Sequence, residues 1–264
     1  MTGEGGKSMK IHPTAIIYKG ANIAEDVEIC PYSIIGENVT MGRGTVIGPF
    51  CVIEGRTTIG ENCRTFAGAI IGSIPQDLKY KGENSFLKIG NNNVIREYVT
   101  INPGTGEGGE TVIGDNNLIM AYAHVAHDCH IGNMVIIANA GTLAGHVSIG
   151  DKSIVGGLAA IHQFVRVGML AIIGGCSKVV QDVPPYSTVD GHPTKVYGLN
   201  SIGLKRSGIP NESVSSLKRA FRILFHSGLS LSTAFERINS EVEKCPELSI
   251  LIDFMKTSKR GVGR

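Results

Sequence analysis

The sequence predicts a mainly β protein: a parallel β-helix followed by a small α-helical domain. Three observations point there. Counted in sixes from Ile11 to Val179, 25 of 29 positions are Ile, Val, Leu or Met, the exceptions being Thr65, Asp77, Glu83 and Glu107. A helix repeats every 3.6 residues and a simple strand every 2; a period of six marks a hexapeptide repeat that turns a corner after each short strand. The residue after the aliphatic is often glycine, as at Gly36, Gly48, Gly60 and Gly150, which suits a corner needing positive φ or close backbone approach. Small residues such as Ser33, Thr45, Cys51 and Ala69 precede the aliphatic by two, where a tube would be narrow.

Three hexads close one triangular coil of about 18 residues, with coils roughly 4.8 Å apart. In chain order, residues 1–10 are polar and out of phase, an expected disordered extension. The β-helix is expected over 11–190. Two stretches break the hexads, 73–88 and 103–111. From Ile71 to Ile89 the first break spans 18 residues, so it reads as one coil with its strands replaced or a segment protruding. The second is glycine-rich. Excursions of this kind carry binding contacts while the tube supplies rigidity. Pro184-Pro185 is expected to end the tube. Residues 191–264 read as helical: 211–226 shows Val214, Leu217, Phe221 and Leu224 at helical spacing, with Asn211 as N-cap and Ser227-Gly228 as stop. Further helices are expected from about Leu231 to Lys244 and from Pro246 to about Ser258, with an apolar face on the tube. Lys205, Arg206, Lys218, Arg219 and Arg222 form a candidate basic patch.

Composition narrows the function. A net charge of +2 is too small to indicate a nucleic-acid partner. Six cysteines without CxxC or framework spacing read as reduced core residues of a cytoplasmic protein. No 18-residue apolar run or signal peptide is visible, so no stable membrane insertion is expected.

Four of the eight histidines, His124, His127, His146 and His162, fall on a short arc of the tube. One coil beyond His127 is Gly145, beside His146; two coils beyond is Gln163, beside His162. His127, His146 and His162 are therefore expected along one edge within roughly 10 Å. Asp128 is placed to orient the His127 ring. Three uses fit such a cluster: a general base for acyl transfer, a zinc site, or a structural role. Spacing alone does not separate the first two.

The strings IPQDLKYKGE, HVAHDCHIGN, LAGHVSIG, AIHQFVRVG, GGCSKVVQDVPPY and GLNSIGLKRSG, in this order, resemble the UDP-N-acetylglucosamine O-acyltransferase family from Ile11 onward. The resemblance implies a left-handed β-helix, a homotrimer with active sites between subunits, and the first step of lipid A synthesis. In that step an R-3-hydroxyacyl chain passes from acyl carrier protein to the 3-position of UDP-N-acetylglucosamine. It implies no cofactor beyond the carrier's phosphopantetheine, and no metal. By motif, His127 corresponds to the general base, Asp128 to its neighbour and the Gly145 N–H to the oxyanion donor. His124, His146 and His162 correspond to residues lining the substrate sites, and Asp77 and Lys79 to sugar or pantetheine contacts. Gln163, Asn200 and Arg206 correspond to nucleotide-side contacts, and Gly175 to the position that measures acyl length, where a glycine leaves room for about 12 or more carbons. The chain departs from the family pattern at Ile202 and Ser207, where an acidic residue and a second arginine are usual, and at Asn102, where histidine is usual. A histidine base serves a hydroxyl or an amine acceptor alike. The runner-up readings are a coenzyme A-dependent hexapeptide acetyltransferase, against which stand the helical tail and the QDLKY loop, and a zinc-dependent carbonic anhydrase.

Overall fold

The computed structural model describes residues 10–263. The expected disorder over 1–10 falls outside the described residues except at Lys10, which lies in the strand Lys10–Ile11. Two-residue strands stack in parallel into three faces. The first face runs from Lys10–Ile11 to Ile172–Ile173, the second from Ile16–Ile17 to Lys178–Val179, the third from Asn22–Ile23 to Arg166–Val167. Eighteen-residue register pairs Ile29 with Ile47 and Ile35 with Ile53. The tube is a left-handed parallel β-helix, and its axis is filled by the hexad aliphatics: Ile35, Ile53, Ile71, Ile95, Ile101 and Ile137 are wholly buried. Each contributes about 2 kcal/mol relative to exposure. Thr65, one of the exceptions, is also buried and accepts a hydrogen bond from the Gly48 N–H.

Of the two reasons expected for the corner glycines, close backbone approach is the one that applies at most of them. Most glycines after the aliphatic do not have positive φ. They are small because the next coil passes close by: a Cβ on Gly42 or Gly60 would strike the backbone of the glycine one coil on. Positive φ falls two residues later, mostly on larger side chains, such as Tyr32 (61°), Phe50 (59°), Asn116 (60°), Asp128 (57°) and His146 (59°). The left-handed corner residue points outward, so these side chains stack in columns, as Tyr32 does on Phe50 at 5.3 Å.

The excursions are protruding segments, one of the two expected layouts, but the first does not span a whole coil from Ile71 to Ile89. Arg64 pairs with Val94, 30 residues on, and Val94 with Leu118, 24 on. Ile71 and Ile89 therefore belong to different faces, not to successive coils. Both insertions leave the tube at one corner, between the second and third faces. The strands Phe86–Ile89 and Glu110–Ile113 reclaim the ends of the segments 73–88 and 103–111. The phase survives because the excess lengths are multiples of six. Pro184-Pro185 turns a last corner without ending the sheet: Ser187–Gly191 adds to the first face, and Thr194–Leu199 returns antiparallel to it.

Four helices follow: α1 (Ser201–Arg206), α2 (Asn211–His226), α3 (Leu231–Glu241) and α4 (Pro246–Thr257). Pro210 rather than Asn211 precedes α2, and Gly228 (φ 72°) follows its end. The helices bury Leu204, Leu217, Phe221, Leu224, Ile238 and Leu251 mainly against one another, meeting the tube at Leu170 and Tyr186. Arg166 of the third face lies over the Phe254 ring at 4.4 Å and donates to the Thr257 carbonyl at 3.1 Å. No helix among the described residues is long and apolar enough to cross a membrane. The six cysteines are free, and burial pushes the Cys129 thiol up to about 12.

Candidate active site

The site sits at the corner between the second and third faces, where the strand His124–Val125 turns through His127 and Asp128. Thr100 pairs with His124, so Pro103, at the root of the second excursion, lies one coil below His127. The insertion and the histidines share an edge for that reason.

The His127 Nδ1–H donates to Asp128 Oδ2 at 2.8 Å. Asp128 also accepts from Thr105, whose Oγ1 lies 2.7 Å from Oδ2 and whose N–H lies 3.3 Å from Oδ1. Burial alone would raise the carboxyl pKa. The donors from Thr105 and His127, with His146 nearby, outweigh it and hold Asp128 below the usual carboxylate range. An ionised Asp128 fixes the His127 proton on Nδ1 and leaves the Nε2 lone pair facing outward. That Nε2 lies 3.8 Å from Asp77 Oδ2, beyond hydrogen-bond reach. Asp77 is itself steadied by the Lys79 N–H at 2.8 Å from Oδ1, while the Lys79 side chain is exposed. The His127 side chain is 14% exposed and that of His146 39%, so the ring is sheltered but reachable.

His146 meets the His127 ring edge-on at 5.2 Å and stacks on Phe164 at 4.6 Å. His162 lies at the same corner but is not the third ring of this stack: it is exposed and its Nδ1 faces the Gln163 carbonyl at 3.2 Å. Phe164 takes that place because the outward column is made of the left-handed residues 128, 146 and 164. His124 lies on the second face with Nδ1 2.7 Å from Thr100 Oγ1; burial, then the nearness of His127, lower its pKa below 6.5 and keep it neutral at pH 7.

Gly145 sits one coil above His127. A Cβ there would collide with the His127 ring, and no described residue accepts its N–H. Glycine at this position is what lets imidazole and backbone lie face to face. Gln163, one coil further, is exposed.

Asn200 and Arg206 are not brought to this edge within the chain. Asn200 caps α1, accepting from the Gly203 N–H at 2.9 Å and donating to the Leu170 carbonyl at 2.9 Å. With Arg206, Ile202 and Ser207 it lines a cleft of about 640 Å³ beside the first face. Gly175 is exposed on the corner between the first and second faces. Thr105, Phe164 and Thr100 were not singled out from sequence. The one available signal for Thr105 was that its excursion is inserted a single coil before His127.

Comparison with known proteins gives the family. Residues 38–73 and 110–145 match the family described as bacterial transferase hexapeptide (six repeats), and residues 182–263 match that described as UDP N-acetylglucosamine O-acyltransferase, domain 2. The acyl-[acyl-carrier-protein]–UDP-N-acetylglucosamine O-acyltransferase of Thermodesulfovibrio yellowstonii is 54% identical over 97% of this chain and 99% of its own length. LpxA from Acinetobacter baumannii superposes with a TM-score of 0.91 at 44% identity, covering 96% of this chain and 99% of that one. LpxA from Bacteroides fragilis superposes with a TM-score of 0.93 at 43% identity, with 96% and 99% covered. Repeat, tail and full-length likeness agree, and the chain belongs to the UDP-N-acetylglucosamine O-acyltransferase family.

Proposed function

We propose that this chain transfers an R-3-hydroxyacyl group from acyl carrier protein to the 3-position of UDP-N-acetylglucosamine, the opening step of lipid A synthesis, with His127 as general base. The observation that carries the base assignment is the Asp128–His127 pair, bonded at 2.8 Å, with Nε2 left free beside the unpartnered Gly145 N–H. Nε2 takes the proton of the sugar hydroxyl, and the oxygen attacks the thioester carbonyl. The Gly145 N–H donates to the resulting oxyanion, a contribution of about 3 kcal/mol. Collapse expels the phosphopantetheine thiolate, which recovers the proton from His127. Ester and free thiol result.

Asp77 and Lys79, on the first excursion, are proposed to hold sugar or pantetheine, with His124, His146, His162 and Gln163 lining the substrate sites. Asn200 and Arg206 are proposed to act on the nucleotide side. A homotrimer would bring such contacts from one copy to the histidine edge of the next, consistent with their separation within one chain. Gly175 is proposed to set acyl length. The setting would be the cytoplasm, with no cofactor beyond the carrier's own arm.

His127, Asp128 and His146 also offer donor atoms within 4.8 Å of one another, which keeps a metal-dependent reading in view. Against it, the trio holds two imidazoles rather than three, and Asp128 Oδ2 already accepts from Thr105 and His127. Mass spectrometry of the product, using purified protein, a panel of acyl carrier proteins and UDP-sugars with a 3-hydroxyl or 3-amino group, tests the reaction. Acyl-UDP-sugar formed by wild type and lost in His127→Ala supports it. Stoichiometric zinc with no acyl product would overturn it.

A further inference from the structure

We propose that Thr105 is a positioning residue for the His127–Asp128 pair, and that a clasp between Asn84 and Glu107 fixes Thr105 and ties it to the Asp77 loop. The inference rests on His127 being the base, and it concerns residues to which no role has been assigned.

The second excursion leaves the tube at Pro103 and returns at Glu110. Within it, Thr105 is the residue that reaches Asp128, through both its hydroxyl and its N–H, one to each carboxylate oxygen. Two donors from one residue define the plane of the carboxylate, and Asp128 in turn defines the direction of the His127 ring. Asp128 is half-buried, and its outward position is common to every coil, so the tube alone does not select its rotamer.

The excursion is short and glycine-rich, with Gly104, Gly106, Gly108 and Gly109, and would not hold Thr105 unaided. It is held by the end of the first excursion. The Asn84 N–H donates to Glu107 Oε2 at 3.0 Å and the Asn84 side-chain amide to Oε1 at 3.0 Å. Asn84 Oδ1 accepts from Arg56 Nη2 of the tube at 2.6 Å, and the Asn84 carbonyl accepts from the Gly108 N–H at 2.8 Å. Asn84 is thereby engaged through all four of its polar groups. The Gly104 N–H donates to the Phe86 carbonyl at 3.2 Å and the Phe86 N–H to the Gly109 carbonyl at 2.9 Å, closing the neck of the excursion. Asp77, which faces His127 Nε2, lies on the same loop that ends at Asn84. One clasp therefore sets the base from behind, through Thr105, and frames it from the front, through the loop of Asp77. Misplacement of a reacting group by about 1 Å costs on the order of 100-fold in rate, so a clasp at the surface can act on the chemistry without touching substrate.

The test is steady-state kinetics on the full chain with thermal melting and UDP-sugar binding measured in parallel. Thr105→Val is expected to lower kcat by about 10- to 100-fold with KM for the UDP-sugar within about twofold and an unchanged melt, and Thr105→Ser to restore most of it. Glu107→Ala is expected to lower kcat by about 3- to 10-fold, and Glu107→Gln, which keeps one acceptor, by less. In a His127→Ala background, Thr105→Val should cost nothing further, because residues that act as a unit are not additive. A purely structural threonine would instead reduce the residual rate again and lower the melt in both backgrounds. Wild-type kcat in Thr105→Val, alongside an inactive His127→Ala, overturns the positioning role and leaves the base intact. Full activity in His127→Ala overturns the base assignment itself.

Discussion

Two corners of the same tube can be set side by side. Between the first and second faces, the left-handed positions include Tyr32, Phe50, Tyr98, Tyr122 and Leu158, all exposed, with stacked pairs at 5.3 Å, besides Gly68, Ala140 and Cys176. Between the second and third faces they hold Asp128, His146 and Phe164. The backbone is the same: φ is 59° at Phe50, 62° at Tyr122 and 59° at His146. A left-handed non-glycine residue costs on the order of 1–3 kcal/mol and often marks a functional site, but here it marks every coil and so marks no site. What distinguishes the corner proposed to be reactive is its occupants, and that both excursions leave the tube there. The fold offers equivalent seats; insertion and side-chain chemistry decide which corner is used.

The sharpest way to break the comparison is to remove the proposed base. His127→Ala should lower kcat by about 1,000-fold or more while the melt stays within a few degrees, measured as acyl-UDP-sugar formed. Next is a matched pair of glycines at the same turn position on the two corners. Gly145→Ala drives a methyl into the His127 ring and should cost about 100-fold in kcat, whereas Gly157→Ala meets only the Asn139 carbonyl at 3.4 Å and should leave kcat within about twofold. A smaller effect is expected from Gly175→Met, whose first carbon meets only the Gly157 carbonyl at 3.3 Å. It should fold normally and shift preference about tenfold toward shorter acyl chains in a competition between carrier proteins. Unchanged preference would remove Gly175 from the acyl site.

The smallest expected effect is on stability against pH, read as melting temperature. His124 has a folded pKa below 6.5, so the unfolded chain binds the extra proton first, and stability declines as pH falls below about 6.5. Asp128 has a folded pKa below 3.8. Its contribution is present above that value and is lost as pH falls through the folded pKa. His124→Gln should flatten the first slope and leave the second.

The tube was legible because a period of six has no other common source. Its corners were only partly so. Insertions whose lengths are multiples of six preserve the phase, so counting from Ile71 to Ile89 could not tell a coil from a corner with a detour. His127, Asp128, Gly145 and His146 were found because their coils have the plain 18-residue step. His162 lies at the same corner, but counting in eighteens does not say which of two neighbours there joins the ring column, and Phe164 does. Thr105 was missed since its excursion carries no periodic signal. For Asn200, the family resemblance implies a nucleotide contact. The structure shows its side-chain amide occupied in capping α1 and holding Leu170, which leaves Arg206 with the freer side chain for that role.

The hairpin that closes the first face has a consequence beyond the enzyme. A stack of identical parallel rungs is open-ended by construction, and its last rung would recruit a strand from another molecule as readily as one of its own. By reversing direction at Thr194–Leu199, the chain pairs the last parallel strand of the first face with an antiparallel strand of its own, so that strand's edge is already taken.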